Sequence, residues 1–130
     1  MNPSNKVISV AKNVFGEPLE LCCNDPITGY FRDGYCNTGS QDQGKHLVCA
    51  VMTHQFLEFS YQKGNDLITA RPEFDFPGLQ AGDSWCVCAM RWLEAHQEDA
   101  APSVKLLSTH EKVLTIVSLD ILKPYAIDVN

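Results

Sequence analysis

The sequence lacks the features that mark several large classes of protein. Its 10 lysines and arginines are outnumbered by 16 aspartates and glutamates, and the formal net charge is -6. A chain of this charge has no electrostatic footprint for nucleic acid or for an anionic membrane surface. No apolar run approaches the roughly 18 residues that a membrane-spanning helix requires. We therefore expect no nucleic-acid partner and no membrane association.

The first 20 residues also lack the marks of a secretory signal. The stretch MNPSNKVISVAKNVFGEPLE has no continuous apolar core and no small-residue cleavage site. This absence predicts a cytoplasmic protein. Because the cytoplasm is reducing, we expect the six cysteines to be free thiols, metal ligands or redox groups and not three disulfides.

The signature motifs of the common enzyme classes are missing as well. The sequence contains no G-x-G-x-x-G, no P-loop, no G-x-S-x-G and no H-E-x-x-H. Their absence removes the usual nucleotide-binding, hydrolase and zinc-protease signatures. Whether the protein is an enzyme is left open by the sequence.

The pattern that is present predicts one α+β domain. A length of 130 residues suits a single domain, and we expect residues 1–12 to form a loose N-terminal extension and residues 13–130 the domain. Strands and helices mix without regular alternation, which favours a small, mainly antiparallel sheet with two or three short helices.

Individual segments carry clear secondary-structure signals. HLVCAVMT (46–53) is a short apolar run suited to a buried strand, and Thr53 is a helix N-cap for HQFLEFSYQK, which Gly64 ends. SWCVCAM (84–90) predicts a strand that passes into a helix. Further predictions are a tight hairpin at GYFRDGYCNTG, strands at SVKLLS and KVLTIV, and a short helix LDILK.

The segment GDSWCVCAMRW raises the question of a cysteine site. If residues 84–88 are a strand, Cys86 and Cys88 point to the same face, because the side-chain period of a strand is two. The C-x-C spacing differs from the C-x2-C pair that structural zinc prefers, so a zinc site would need ligands from elsewhere in the fold. The candidates for such a site are Cys36, Cys49, Cys86, Cys88 and His110. The alternative is that these thiols are buried beside Trp85 and Trp92 and have no chemical role.

Thiol chemistry is a second interpretation. Cys36 follows a predicted turn, where solvent could reach it, and Cys88 and His110 are the other candidate catalytic residues. The adjacent pair Cys22 and Cys23 is not expected to form one site, because neighbouring side chains of an extended segment face opposite ways.

Ligand binding is a third interpretation and the one that requires least of the fold. Trp85 and Trp92 could supply apolar contact while Arg71 or Arg91 holds an anionic group. Asn37 and Asp83 complete this predicted set, although both residues also suit turns.

Taken together, the motifs resemble domain-of-unknown-function family 2237, a family of small bacterial-type proteins. The resemblance covers about Asn13 to Asp128 and is carried by NVFGEPLELC, DPITGYFRDGYCNTG, HLVCAVMTHQFLEFS, GNDL, RPEFDFPGL, GDSWCVCAMRWLEA and THEKVL. It implies family positions at Cys36, Asn37, Gly39, Cys49, Thr53, Arg71, Pro72, Gly78, Asp83, Trp85, Cys86, Cys88, Arg91, Trp92 and His110. It implies no established reaction.

This chain departs from the family pattern at two positions. Tyr35 precedes Cys36 where the resemblance implies two adjacent cysteines, and Cys23 stands where a small polar residue is expected. The sequence therefore predicts a small cytoplasmic α+β protein with a pocket lined by cysteine, tryptophan, arginine and histidine. A binding module for a small or anionic ligand is the first expectation, and a zinc site or a thiol-dependent enzyme is the alternative.

Overall fold

A three-stranded antiparallel sheet lies at the centre of the computed structural model, which describes residues 11–129. Of the predicted N-terminal extension, residues 1–10 lie outside the described residues. The strands are β1 (His46–Val51), β2 (Ser84–Cys88) and β3 (Ser103–Val104), and their order β2-β1-β3 places β1 in the middle. The helices are α1 (His54–Gln62), α2 (Ala89–Gln97) and α3 (Leu119–Leu122), with 3-10 turns at Pro72–Phe74, Leu106–Ser108, Glu111–Thr115 and Lys123–Tyr125. The predicted α+β class, with a small antiparallel sheet and three short helices, is confirmed.

The two faces of the sheet have different environments because side chains alternate along each strand. Val48 and Ala50 of β1 lie opposite Val87 and Trp85 of β2, and all four belong to the main hydrophobic core. Cys49 and Cys86, which oppose each other between these pairs, belong to a separate buried cluster on the other face. The sheet therefore divides the apolar core from a cysteine cluster.

Local signals set the ends of α1 as expected. The Thr53 hydroxyl oxygen accepts a hydrogen bond from the Phe56 N–H at 3.0 Å, which satisfies a free donor of the first turn. Gly64 follows the helix with a φ of 88°, a left-handed conformation that glycine adopts without steric cost. The predicted N-cap and the predicted helix end are both confirmed.

Two predicted β segments are wrong. GYFRDGYCNTG forms bends and turns, because the Gly34 carbonyl accepts from the N–H groups of Cys22 and Cys23 and not from a hairpin partner. In KVLTIV, residues 112–115 belong to a 3-10 turn and no residue is in a strand, since Nδ1 of His110 accepts from the Lys112 N–H and caps Glu111–Thr115. In both places side-chain and loop hydrogen bonds outweigh β propensity. Within residues 11–129, no helix is long and apolar enough to cross a membrane.

Candidate functional site

Cys49 and Cys86 form the base of the cysteine cluster. The backbone N–H groups of these two residues do not bond to the facing strand. That of Cys86 donates to Oγ1 of Thr28 at 2.8 Å, and that of Cys49 donates to Oγ1 of Thr109 at 3.2 Å. The two residues are therefore a non-hydrogen-bonded pair of the antiparallel ladder, the arrangement in which opposing side chains approach most closely. Both side chains are buried.

Each of these strand cysteines is joined to a loop cysteine by a disulfide. Cys49 is bonded to Cys22, with Cα atoms 5.8 Å apart, and Cys86 is bonded to Cys36, with Cα atoms 5.2 Å apart. The expectation that the cysteines are not disulfide-bonded is thus wrong for four of the six. Sequence separation concealed the pairing, because the partners are 27 and 50 positions apart in the chain. Cys23 and Cys88 are free and half-buried.

The turn around Gly34 holds the two loop cysteines beside the sheet. Its carbonyl oxygen accepts from the Cys22 N–H at 2.8 Å, and its own N–H donates to the Thr28 carbonyl at 2.9 Å. Gly34 has a φ of 90°, and a Cβ there would lie 2.6 Å from Cδ1 of Leu21. Only glycine fits this position without strain. Thr28, buried in the same turn, occupies the open edge of β2.

Three sulfur atoms of the cluster lie near enough to share a metal ion. The Sγ atoms of Cys22, Cys36 and Cys49 are all within 4.8 Å of one another, and Cys36 is bonded to Cys86. This set differs from the predicted one. Cys86, Cys88 and His110 are outside this metal-competent group, as judged over residues 11–129. Cys22 takes part, although the sequence did not predict a site at the adjacent residues Cys22 and Cys23. The sequence did contain a signal for Cys22. Because adjacent side chains of an extended segment face opposite ways, one of Cys22 and Cys23 can point into the fold while the other does not.

The paired site of Cys86 and Cys88 is not formed. The strand prediction for residues 84–88 is correct, but the sulfur of Cys86 is bonded to Cys36 and is not a free thiol. Cys88 ends the strand and is the N-cap of α2, with a register irregularity in the facing strand between His46 and Val48. The same disulfide means that Cys36, a predicted nucleophile, has no free thiolate in this structure.

A pocket of about 400 Å³ adjoins the cysteine cluster, since Cys86 is part of its wall. Two loop segments and β2 surround it, and most of the accessible lining is apolar. The residues that line the pocket are Gly29, Tyr30, Arg32, His46, Asp66, Leu67, Arg71, Phe74, Asp75, Phe76, Trp85 and Cys86. It thus contains cysteine, tryptophan, arginine and histidine, and Arg71 and Trp85 belong to the predicted set.

Arg32 connects the two loops across the pocket. Its guanidinium donates to the carbonyl oxygens of Gly29 at 2.6 Å and Phe74 at 2.9 Å, and its Cζ lies 5.1 Å from the centroid of the Trp85 ring. Desolvation lowers the pKa of Arg32, and the charge of Asp75 offsets this in part. No carboxylate in the described part of the chain forms an ion pair with it. Sequence reasoning missed Arg32, because it lies in the segment interpreted as a hairpin.

Arg71 supplies a second guanidinium from the long loop between α1 and β2. Its backbone N–H and carbonyl pair with Phe76, which fixes the loop without using the side chain. The nearby carboxylate of Asp66 accepts from the N–H groups of Ile68 and Thr69. Hydrogen bonds, those from Thr69 first, hold the pKa of Asp66 below its ordinary value, and the charge of Arg71 contributes.

His46 lies at the side of the pocket and is oriented by a buried carboxylate. Its Nδ1 is 2.6 Å from Oδ1 of Asp42, and its ring is stacked beside Tyr30 with centroids 6.3 Å apart. Burial raises the pKa of Asp42, but hydrogen bonds from the His46 backbone and ring and from Thr38 outweigh it and hold the pKa below its usual value. Asp42 therefore fixes the orientation of the His46 ring through Nδ1 and does not contact Nε2.

The other predicted ligand-binding residues lie outside the pocket. Trp92 is fully buried in the core, and its Nε1 donates to the Pro102 carbonyl at 3.1 Å. Arg91 is on α2, where it contacts Glu94 and the Lys63 carbonyl. Asp83 accepts from the Gln80 N–H and Asn37 from the Thr38 N–H, so each stabilises a turn.

His110 is buried at the start of the 3-10 turn that it caps. Its backbone N–H donates to the Leu47 carbonyl, and its Nδ1 accepts from the Lys112 N–H at 3.1 Å. Desolvation first, and the charge of Lys112 second, lower the pKa of His110. A neutral ring is therefore part of the folded structure.

This lowered pKa predicts acid sensitivity. Because the unfolded chain binds the His110 proton more tightly, the free energy of unfolding is expected to decrease as pH falls through the unfolded pKa of 6.5 towards the folded value. The substitution His110→Asn keeps a side-chain acceptor for the cap and removes this titration. Urea unfolding at pH 7 and pH 5 should show a smaller loss for the variant, and equal losses would contradict a neutral His110.

Fold and site together define a small α+β domain in which two disulfides fasten a turn-rich N-terminal segment to the sheet beside an arginine-containing pocket. The sequence profile of a family described as "Uncharacterized protein conserved in bacteria (DUF2237)" matches residues 12–126. The chain belongs to this family, as its motifs indicated. No curated protein matches the sequence.

Proposed function

We propose that the chain is a binding module whose pocket holds a small planar anion. The observation that carries this proposal is the Arg32 guanidinium, which is partly desolvated, faces the pocket and has no ion-pair partner in the described chain. Burial of this cation is costly and the charge of Asp75 offsets the cost only in part, so an anionic ligand would supply further negative charge. Trp85, Phe76 and Tyr30 supply apolar walls for a flat ligand.

The two guanidiniums have different roles in this proposal. Arg32 uses three donors on backbone carbonyls, including a longer contact to the Asp75 oxygen at 3.4 Å, so it holds the two loops together. Arg71 lines the same pocket from the facing loop, and its guanidinium donates no hydrogen bond to any residue within 11–129. Arg71 is therefore the residue that can turn towards a carboxylate and grip it with two parallel hydrogen bonds.

Benzoate is a suitable probe, and benzamide is its uncharged isostere. We expect benzoate to shift the indole N–H signal of Trp85 in ¹⁵N-resolved NMR spectra and to leave that of buried Trp92 unchanged. Arg71→Gln should weaken benzoate binding by about tenfold or more, because a charge-assisted hydrogen bond contributes about 1.5–3 kcal/mol. The matched control is Arg91→Gln, which removes the same charge from α2, away from the pocket lining.

Two outcomes would contradict the proposal. Benzamide binding as tightly as benzoate would show that the pocket does not select for charge. Equal weakening by Arg71→Gln and Arg91→Gln would show that only the net charge of the chain matters.

We also propose that the chain does not bind nucleic acid. The net charge of -6 supports this proposal.

A zinc site is the second candidate function, and the convergence of the Sγ atoms of Cys22, Cys36 and Cys49 within 4.8 Å favours it. Zinc binds thiolates, and a disulfide sulfur is not a thiolate. This candidate therefore applies to a reduced chain, such as one in the cytoplasm, which is the location that the sequence predicts. Metal analysis of protein purified without a histidine tag under reducing conditions tests it.

A further inference from the structure

We propose that the cysteine cluster is a redox-dependent zinc site with the four ligands Cys22, Cys36, Cys49 and Cys86. In the reduced chain their thiolates hold one Zn²⁺ ion, and oxidation to the two disulfides releases it. This inference rests on the second candidate function and adds to it the identity of the ligands and the condition that controls binding.

For three of the four ligands the geometry requires only small movements of the sulfur atoms. In a tetrahedral site with zinc–sulfur bonds of about 2.3 Å, neighbouring sulfurs are about 3.8 Å apart. The three sulfurs of Cys22, Cys36 and Cys49 already lie within 4.8 Å of one another. On reduction, bonded sulfurs separate from about 2 Å towards the tetrahedral distance, and the Cys36 sulfur approaches those of Cys22 and Cys49 by about 1 Å or less. Cys86, which is bonded to Cys36 in the oxidised chain, supplies the fourth sulfur from the neighbouring strand. Rotation about the Cα–Cβ bonds provides such shifts without moving the backbone.

The backbone around the cluster is held by bonds that do not depend on the disulfides. Cys49 and Cys86 are paired in the sheet, and the N–H of Cys86 is bonded to Thr28. Cys22 is bonded through its N–H to the Gly34 carbonyl, two residues before Cys36. The four Cα positions therefore have support from the ladder and the turn when the sulfur–sulfur bonds are broken.

Burial favours a metal over free thiolates in this place. The four side chains are 0–5% exposed, and a dry environment raises the pKa of a free thiol. A bound Zn²⁺ reverses this tendency, because it supplies the opposite charge and deprotonates the thiols that it binds. The metal-competent group in the described residues consists of cysteines alone, which is the donor set of structural zinc.

The redox step balances with a dithiol reductant. Two equivalents of dithiol each transfer two electrons and two protons to one cystine, which yields four protein thiols and two oxidised dithiols. Zinc binding then releases four protons to solvent. In the opposite direction, two equivalents of a disulfide oxidant accept two electrons each through thiol exchange, the two protein disulfides form again, and Zn²⁺ leaves to solvent.

The test is thiol mapping on the full chain. Protein reduced anaerobically with a phosphine and checked for folding by circular dichroism receives one equivalent of Zn²⁺, is alkylated with iodoacetamide, and is analysed by peptide mass spectrometry. We expect alkylation to be lost at Cys22, Cys36, Cys49 and Cys86 and kept at Cys23 and Cys88. A disulfide oxidant should then release the zinc to a chromophoric chelator.

Variants and a second metal complete the test. Cys88→Ser and Cys23→Ser should each retain one zinc per chain, whereas Cys36→Ser should lose it. Because Cys36→Ser also removes a disulfide, its loss of zinc could come from a change in the fold. Reduced wild-type protein is therefore titrated with Co²⁺, and binding by four thiolates should give a strong sulfur-to-cobalt charge-transfer absorption at one equivalent.

The outcomes separate the inference from the function on which it rests. Zinc bound with Cys23 or Cys88 protected instead would leave a zinc protein and overturn the four-ligand set. Zinc retained after the four cysteines have been oxidised to the two disulfides would overturn the redox dependence. No zinc and no cobalt bound by the folded, reduced chain would overturn both the inference and the second candidate function.

Discussion

Replacing Trp92 by alanine is expected to lower the free energy of unfolding by about 3–5 kcal/mol, the cost of truncating a fully buried aromatic residue. Trp92 is 0% exposed, and its ring is stacked 5.7 Å from that of His96 with Tyr125 edge-on at 4.9 Å. Its Nε1 hydrogen bond to the Pro102 carbonyl connects α2 to the segment before β3. The substitution removes the ring from the core and leaves that carbonyl without its donor.

Urea unfolding followed by circular dichroism measures this loss, and Trp92→Phe is the matched control. Phenylalanine refills most of the volume but lacks the N–H, so we expect a smaller loss. In Trp92→Phe, benzoate should still shift the Trp85 signal, because Trp92 is outside the pocket lining. A loss below about 1 kcal/mol for Trp92→Ala would contradict the burial described here. Abolition of the benzoate shift by Trp92→Phe would restore Trp92 as a ligand-binding residue.

Removing the disulfide between Cys36 and Cys86 by paired alanine substitutions is expected to lower the free energy of unfolding of the oxidised protein by about 4 kcal/mol. The bond spans 50 residues, and a cross-link of this span removes about that much chain entropy from the unfolded state. The bond between Cys22 and Cys49 spans 27 residues, for which the same relation predicts about 3.5 kcal/mol.

The free cysteines provide the control for this prediction. Cys23→Ser and Cys88→Ser alter half-buried thiols outside the disulfides, so each should change the stability far less. Unfolding of all variants without reductant, and of wild-type protein with it, compares the effects directly. If paired alanines at Cys36 and Cys86 cost no more than Cys88→Ser, the disulfide does not stabilise the folded chain. If the zinc inference is correct, added Zn²⁺ restores part of the stability of the reduced wild type, because a ligand that binds only the folded state stabilises it.

Three strong local signals matched the structure. The apolar run of β1, the Thr53 cap and the turn at Gly64 each depend on residues within a few positions of one another. KVLTIV carried an equally clear strand signal, but His110 caps a 3-10 turn over Glu111–Thr115. The hydrogen bond from the His110 N–H to the Leu47 carbonyl fixes the position of this cap. That bond joins residues far apart in the sequence, so propensity alone could not reveal it.

The two arginines and the two tryptophans show the same limit at the site. From the sequence alone, Arg71 and Arg91 are equally plausible anion-binding residues. Trp85 and Trp92 are likewise equally plausible as residues that line the pocket. Their separation depends on which elements the fold brings together: the long loop and β2 meet at the pocket, whereas α2 directs Trp92 into the core. Arg32 was missed because a turn between two aromatic residues resembles a hairpin until its partners across the fold are known.

By itself the sequence determined the α+β class, the family, and the central strand and the first two helices, because these follow from periodicity, capping residues and ordered motifs close along the chain. Only the tertiary structure decided which cysteines meet. Opposing positions in an antiparallel ladder bring Cys49 and Cys86 together across 37 residues of chain, and the turn at Gly34 brings two loop cysteines to the same face. Contacts of this kind depend on strand register and loop closure, which no local pattern encodes.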